Sequence, residues 1–196
     1  GYKPKASKHP FGGPGAHNGG RIRFSPADGY LYVTVGDNHL GIAPQSPTYI
    51  GGKVLRIDRD GKPATDFFFN DWLYTVIYTY GHRNPQGAAI RPGTQELWLV
   101  EHGARGGDEL NRVQKGGNYG WPVISYGVNY NGSSIGIGTE APGYEQPLHY
   151  WDPSIAPGAM LVYRGKMFPE WDGDLLVTAL KAQRISRLDR NDDGKI

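Results

Sequence analysis

The 196-residue chain contains no cysteine. Disulfide bonds and thiolate chemistry are therefore excluded, and the redox state of its compartment cannot be inferred from cysteine usage. Long apolar runs are also absent, because no stretch approaches the roughly 20 residues that a membrane-spanning helix needs. The sequence also has no long segment with apolar residues at helical spacing, so a helical fold is not expected.

Charge of one sign is not in excess: 21 Lys and Arg face 19 Asp and Glu, for a net charge of +2. This balance gives no reason to expect a nucleic-acid partner or an anionic membrane surface. The chain is instead rich in turn-forming and aromatic residues, with 30 Gly, 15 Pro, 13 Tyr and 5 Trp. This composition is typical of short strands joined by many turns around a packed core, and the length suits one domain.

Three segments repeat the pattern of a short strand, a Pro/Gly turn and a second strand that ends in polar residues. These segments are residues 22–37, 89–103 and 161–181. A further strand follows each unit, at residues 53–61, 108–116 and 184–194. The repeat predicts an all-β fold of antiparallel propeller blades with long loops between them. A β-sandwich is the alternative, although its strands need not repeat one another in sequence.

In a propeller, equivalent strand ends converge around one axis. We therefore expect the polar ends of several strands to face one cavity despite their wide separation in sequence. These ends are Asp37, Arg83–Asn84, His102–Gly103 and Lys181.

The loop Tyr80–Gly87 lies between two apolar strands and carries Arg83 and Asn84 between two glycines. Glycine allows the backbone to approach a ligand closely, and the planar guanidinium suits carboxylate or quinone oxygens. A polar turn between strands is the alternative for this loop. His17 also lies in a glycine-flanked loop, where it is either a general base or a solvated side chain.

Two further segments are candidates for ligand binding. The Gly-rich segment 101–111 ends in carboxylates, which suits Ca²⁺, or is a flexible loop. The aromatic loop 144–151 either stacks on a planar cofactor or sugar ring, or caps the core. Residues 189–194 resemble the start of a calcium-binding EF-hand loop, but without a preceding helix we interpret them as a hairpin turn.

Several long strings occur together and in a fixed order. HNGGRIRFSPADGYLYVTVGD begins at His17, GGKVLRIDRDG at Gly51, YGHRNPQG at Tyr80, GGDELNRVQKGGNYGWP at Gly106 and DPSIAPGAMLVY at Asp152. In these strings the chain resembles the soluble glucose/sorbosone dehydrogenase family, the PQQ-dependent aldose sugar dehydrogenases. The resemblance implies a six-bladed β-propeller with pyrroloquinoline quinone (PQQ) over the axis, held by Ca²⁺. It also implies that residues 1–196 form a single partial propeller domain, an internal fragment or processed piece of about half the fold.

The resemblance further implies roles for individual residues. His17 would be the general base, Asp37 would orient it, and Arg83 would stabilise negative charge on the quinone. The implied PQQ-binding residues are Arg83, Asn84, Lys181, Ala182 and Gln183, with Tyr130 and Trp151 lining the cofactor or sugar pocket. The implied calcium ligands are Gly103 and Ala104 for the catalytic ion and Glu109 and Tyr119 for a structural ion.

The implied reaction oxidises the C1 hydroxyl of an aldose to a lactone and passes electrons to an unidentified acceptor, in the bacterial periplasm or outside the cell. Three positions depart from the family pattern: Ala16 replaces an acid, Ala104 replaces a proline, and His102 replaces the Gln of strongly glucose-active relatives. A non-catalytic propeller that binds a carbohydrate or protein partner is the alternative function. Lactone hydrolysis is disfavoured because it would leave Arg83 and Lys181 without a role.

Overall fold

A computed structural model describes residues 16–66 and 75–189 of the chain. The described residues form three antiparallel sheets and two short 3₁₀ turns, Ala43–Gln45 and Pro169–Trp171. The first sheet contains β1 (Gly19–Phe24), β2 (Leu31–Val35), β3 (Lys53–Ile57) and β4 (Ile77–Tyr80). The second contains β5 (Pro85–Ile90), β6 (Leu97–Glu101), β7 (Asp108–Arg112) and β8 (His149–Trp151). The third contains β9 (Pro157–Val162), β10 (Leu175–Ala179) and β11 (Arg184–Leu188).

The core lies between the sheets, and β6 shows why. Its successive side chains point to opposite faces, as in any strand. Leu97 and Leu99 join an apolar cluster with Tyr32 and Val54 of the first sheet. Trp98 and Val100 join a second cluster, which includes Met160 and Val177 of the third sheet. The middle sheet is therefore covered on both faces, which explains why LWLVE is apolar at consecutive positions rather than at alternate ones.

The first strands of the three sheets lie next to one another, with β5 between β1 and β9. Arginines of β1 make part of this contact: Arg21 Nε donates to the carbonyl of Gln86, and Arg23 Nε donates to that of Ala88 at 2.7 Å. On the other side, a Cβ at Gly87 would lie 2.8 Å from the carbonyl oxygen of Gly158. The absence of a side chain at Gly87 thus permits close approach of β5 and β9.

The prediction of an all-β propeller is confirmed. The described residues contain three blade sheets, which is half of the six blades predicted. The three predicted strand–turn–strand units are β1–β2, β5–β6 and β9–β10, and the predicted following strands are β3, β7 and β11. No helix in residues 16–66 or 75–189 has the length and apolar character to cross a bilayer.

One element differs from prediction. The segment 144–151 was expected to be a loop, but its last three residues form β8, which pairs with β7 through Asp108 and Trp151. Three residues are too few to show the alternation of apolar and polar side chains that predicts a strand. Residues 149–151 are extended because they pair with β7. Of the hairpin turn predicted at 189–194, every residue after Asp189 lies outside the described part of the chain.

Candidate active site

The candidate site lies where β1, β5 and β9 begin. Because each of these strands is antiparallel to the next, the same end of each sheet also carries the end of β2, β6 or β10. Residues that precede one strand and residues that follow its partner therefore meet. The structure brings His17 and Asp37 into contact and places Arg83 beside them. Arg83 in turn contacts the loop that follows Glu101.

His17 and Asp37 form the centre of this arrangement. His17 Nδ1 lies 2.7 Å from Asp37 Oδ1, and both side chains are largely buried. Burial raises the pKa of the Asp37 carboxyl, but hydrogen bonds from His17 and from the His39 backbone outweigh it, so the net shift is downward. Asp37 therefore stays ionised and holds the imidazole with Nε2 as the nitrogen that can accept a proton.

Backbone geometry explains how His17 reaches this position. His17 has a φ of 49°, in the left-handed region. A Cβ at Gly36 would lie 1.9 Å from the His17 carbonyl oxygen, so only glycine fits there. The adjacent Asp37 backbone N–H donates to the Arg83 carbonyl at 2.8 Å, which joins the first blade to the second.

Arg83 is 5% exposed and is held through both its backbone and its side chain. Its backbone N–H donates to Glu101 Oε2 at 2.8 Å, and Nη1 donates to the carbonyls of His102 and Gly103. Among the residues that the structure describes, its Nε has no hydrogen-bond partner. A buried cationic donor without a partner is a favourable site for an anionic ligand group.

Asn84, next to Arg83, is tied to β1. Its side-chain oxygen accepts hydrogen bonds from the Gly19 backbone N–H at 3.2 Å and from Gln86 Nε2 at 3.0 Å. The amide is therefore oriented by protein contacts before any ligand binds.

A cleft of about 890 Å³ opens beside Gly103, whose carbonyl accepts a hydrogen bond from Arg83. Lys181 lies on its wall, in the turn after β10, and its backbone N–H donates to the Ile155 carbonyl at 3.0 Å. Ala182 and Gln183 belong to the same turn, where Gln183 has a φ of 51°. The other residues lining the cleft include His102, Ala104, Arg105, Tyr126, Tyr130 and Asp152.

Tyr130 and Trp151, the two aromatic residues expected to line the pocket, differ in their position relative to the cleft. Tyr130 is on the cleft wall and is 71% exposed. Trp151 is not among the described residues that line this cleft, although its neighbour Asp152 is. Trp151 packs instead against the apolar cluster between the second and third sheets, and its carbonyl accepts a hydrogen bond from Gly107. Its place in β8, opposite Asp108, turns the side chain toward the core.

The loop containing Gly103 and Ala104 is organised by the buried carboxylate of Asp108. Asp108 Oδ1 accepts from the Gly103 backbone N–H at 2.9 Å. Its Oδ2 accepts from the Ser154 hydroxyl and from the backbone of Ile155 and of Ala156. One side chain therefore holds the candidate calcium loop and the entry to β9 together. The Gly103 carbonyl, an expected calcium ligand, already accepts from Arg83, which leaves one lone pair for a cation.

Glu109 and Tyr119 line a separate cavity of about 20 Å³, together with Glu101, Gly103 and Ser125. Burial, followed by repulsion from Glu101, raises the pKa of Glu109 to about 8. The Tyr119 hydroxyl donates to the Arg112 carbonyl and accepts from Gln114, so its oxygen is already engaged.

The cavity fits one ion, since a single water needs about 10–15 Å³. Across residues 16–66 and 75–189, no three His, Asp or Glu side chains form a metal-binding group. A Ca²⁺ ion here would therefore take its remaining ligands from backbone oxygens, which is common for this ion.

Sequence reasoning missed two side chains beside His17 and Asp37. The ring of His39 stacks on that of His17, and Trp121 Nε1 donates to Asp37 Oδ2 at 2.7 Å. Trp121 lies within one of the strings that carry the family resemblance, which is a signal that could have indicated it. No pattern in the sequence indicates its contact with Asp37, because 84 residues separate the two.

Known proteins resemble this chain in sequence and in fold. A sequence profile of the family described as Glucose / Sorbosone dehydrogenase matches residues 6–196. The chain is 40% identical over 183 residues to "Aldose sugar dehydrogenase YliI" of Escherichia coli K12, which covers 91% of this chain and 49% of that protein.

Solved structures show the same likeness. A crystal structure of a glucose dehydrogenase superposes with a TM-score of 0.87 at 38% identity, over 91% of this chain and 52% of that one. The PQQ-bound aldose sugar dehydrogenase of Streptomyces coelicolor superposes with a TM-score of 0.72 at 31% identity, over 91% of this chain and 47% of that one. The chain thus spans about half the length of the relatives it matches.

Proposed function

The chain belongs to the glucose/sorbosone dehydrogenase family, and on that premise we propose that it is part of a PQQ- and Ca²⁺-dependent dehydrogenase that oxidises the C1 hydroxyl of aldoses to lactones. The observation that carries the proposal is a chain of contacts: the His17–Asp37 pair is joined to Arg83, and Arg83 donates to the carbonyl of Gly103, which lines the same cleft as Lys181. A protein that only bound sugar would have no need for this combination of a base and two cations. We further propose that residues 1–196 form a single partial propeller domain.

The residues of the site fit PQQ, a planar molecule with several carboxylates. Arg83 presents a buried donor without a partner in the described chain, and the Lys181 ammonium on the cleft wall would pair with a carboxylate. The cleft of about 890 Å³ lies within the range of roughly 300–1,000 Å³ that is typical of small-molecule and cofactor sites. The carbonyls of Gly103 and Ala104 are oxygen ligands of the type that Ca²⁺ prefers. When bound, PQQ would supply the electron acceptor for the hydride that leaves C1, and Ca²⁺ would polarise its quinone oxygen.

In this proposal His17 Nε2 takes the proton of the sugar C1 hydroxyl, because Nδ1 is engaged with Asp37. The Asp37 carboxylate then stabilises the imidazolium that forms, and it keeps the ring in one orientation. The Arg83 guanidinium provides fixed positive charge where negative charge develops in the transition state. Asn84, held by Gly19 and Gln86, would position the cofactor next to Arg83.

Reconstitution tests the proposal directly. The protein that carries this chain is purified and loaded with PQQ and CaCl₂, and reduction of an artificial dye is measured with a panel of aldoses. Dye reduction should appear with at least one aldose. His17→Ala should lose most of it, by about 10²–10⁴-fold, while PQQ still binds. His149→Ala, a partly buried histidine of β8 on the outer edge of the second blade, is the matched control and should keep activity.

Two results would contradict the proposal. If PQQ binds and no aldose reduces the dye, the non-catalytic carbohydrate- or partner-binding propeller becomes the better interpretation. If His17→Ala keeps full activity, the base is another residue. The proposed location, the bacterial periplasm or the extracellular space, rests on the family resemblance and would be tested by fractionation of the source cells.

A further inference from the structure

Trp121 contacts two side chains of the proposed catalytic group, Asp37 and Arg83. Its indole N–H donates to Asp37 Oδ2 at 2.7 Å. The face of its ring lies under the guanidinium of Arg83, with the guanidinium carbon 5.1 Å from the ring centroid. One side chain thus contacts the carboxylate that orients His17 and the cation beside it.

Three loops hold Trp121 in this position. Its backbone N–H donates to the Gly81 carbonyl at 2.8 Å, and its carbonyl accepts from Gln45 Nε2 at 2.9 Å. Gln45 and Asn118 pair through both of their amide groups, at 3.0 and 2.7 Å. A Cβ at Gly81 would lie 2.3 Å from Asn118 Oδ1 and 2.8 Å from Gln45 Nε2. The glycine of the YGHRN loop is therefore needed for this packing.

The contact with Trp121 completes the hydrogen bonding of Asp37. Oδ1 accepts from His17 Nδ1 and from the His39 backbone N–H at 2.9 Å, while Oδ2 accepts from Trp121. The terminal torsion of an aspartate side chain is otherwise broad. With a donor on each oxygen the carboxylate cannot rotate, so Oδ1 remains aligned with His17.

We propose that Trp121 is a positioning residue for the oxidation: its N–H locks the Asp37 carboxylate against His17, and its ring face supports the Arg83 guanidinium. This inference rests on the proposed function for its kinetic consequence, but the contact with Asp37 is testable without activity. The two roles use different parts of the indole, so substitutions separate them.

The first experiment measures the indole proton. In ¹⁵N-tryptophan-labelled protein, Trp121→Phe assigns the Trp121 Nε1–H resonance by its disappearance. A hydrogen bond to a carboxylate is stronger than one to a neutral amide. Asp37→Asn should therefore move this resonance upfield. The same change at Asp58, a half-buried residue that follows β3, should leave the resonance in place. An indole resonance that does not respond to Asp37→Asn would overturn the inference.

The second experiment measures kinetics in the PQQ- and Ca²⁺-loaded protein. Trp121→Phe keeps an aromatic face but removes the N–H, so kcat should fall roughly 10- to 100-fold. KM for the aldose should change by less than about two-fold, since the loss lies in alignment and not in sugar binding. Trp121→Ala should in addition weaken PQQ binding, because Arg83 loses its support. Replacement of Trp121 by its benzothienyl isostere, which lacks only the N–H, should reproduce the result of Trp121→Phe.

Trp171→Phe is the matched control, since Trp171 stacks on Phe168 in the third blade and contacts neither His17 nor Asp37. Equal losses of kcat in Trp121→Phe and Trp171→Phe, or full kcat in Trp121→Phe, would overturn the inference. If the unaltered protein oxidises no aldose, the proposed function fails. The response of the indole proton to Asp37→Asn would still decide whether Trp121 locks the carboxylate.

Discussion

The imidazole rings of His17 and His39 are stacked, with their centroids 3.6 Å apart and their planes 28° apart. Both residues adopt left-handed backbone angles, with φ of 49° and 60°. Because the ring of His17 lies against that of His39, the stack disfavours the protonated form of His39. Burial, followed by repulsion from His17, lowers the pKa of His39.

The lowered pKa of His39 predicts a pH dependence of stability. In the folded protein the neutral ring is favoured, so the unfolded chain binds more protons below pH 6.5, and stability falls as the pH falls through that range. His39→Phe keeps a stacked ring that cannot titrate. The loss of unfolding free energy between pH 7.5 and 5.5, measured by urea denaturation, should be smaller in this variant. An unchanged pH dependence would contradict the prediction.

Arg83 should not tolerate replacement by lysine. The guanidinium reaches the carbonyls of His102 and Gly103 through Nη1 and presents Nε to the site, whereas lysine has a single nitrogen. Arg83→Lys should weaken PQQ binding about 10-fold, as followed by absorbance titration. Arg91→Lys, which alters a partly exposed ion pair with Glu96, is the control and should bind PQQ normally. Equal affinity in both variants would refute the assignment.

Asp108 should be important for stability. Its carboxylate accepts from the Gly103 backbone N–H, the Ser154 hydroxyl and the backbone of Ile155 and of Ala156. Asp108→Ala would leave several buried donors without an acceptor, and should lower the free energy of unfolding by about 3 kcal/mol or more. Asp172→Ala, which removes an exposed ion pair with Arg164, should cost less than about 1 kcal/mol. Urea denaturation of both variants measures the difference.

Removal of calcium should reveal how much the buried Glu109 carboxylate destabilises the folded protein. Its pKa is raised to about 8, so without a cation the folded state holds an extra proton, and stability should fall as the pH rises from about 4.5 toward 8. Addition of CaCl₂ at pH 8 should raise the melting temperature, and EDTA should reverse the effect. Glu109→Gln should remove this contribution to the pH dependence and reduce the response to calcium, while the ion proposed at Gly103 and Ala104 remains. A variant that gains as much stability from CaCl₂ as the unaltered protein would place the structural ion elsewhere.

Much of the fold could be predicted because its signals are local. The hairpins β1–β2 and β5–β6 have alternating or apolar strands around a Pro/Gly turn, and the repeat indicated blades. Strand β8 could not be predicted, since residues 149–151 are extended only because β7 offers them a free edge. The family resemblance implied a pocket role for Trp151, and the structure adds that its side chain packs against the core between the second and third sheets.

The sequence by itself determined the all-β class, the family and the candidate side chains His17, Asp37, Arg83 and Lys181, because turn chemistry, strand patterns and motif strings are properties of neighbouring residues. Only the tertiary structure decided which groups share a hydrogen bond. The contact between Trp121 and Asp37 depends on how the residues after β2 and the loop after β7 come together. Such contacts follow from the packing of blades, to which every sheet contributes, and no short stretch of sequence encodes them.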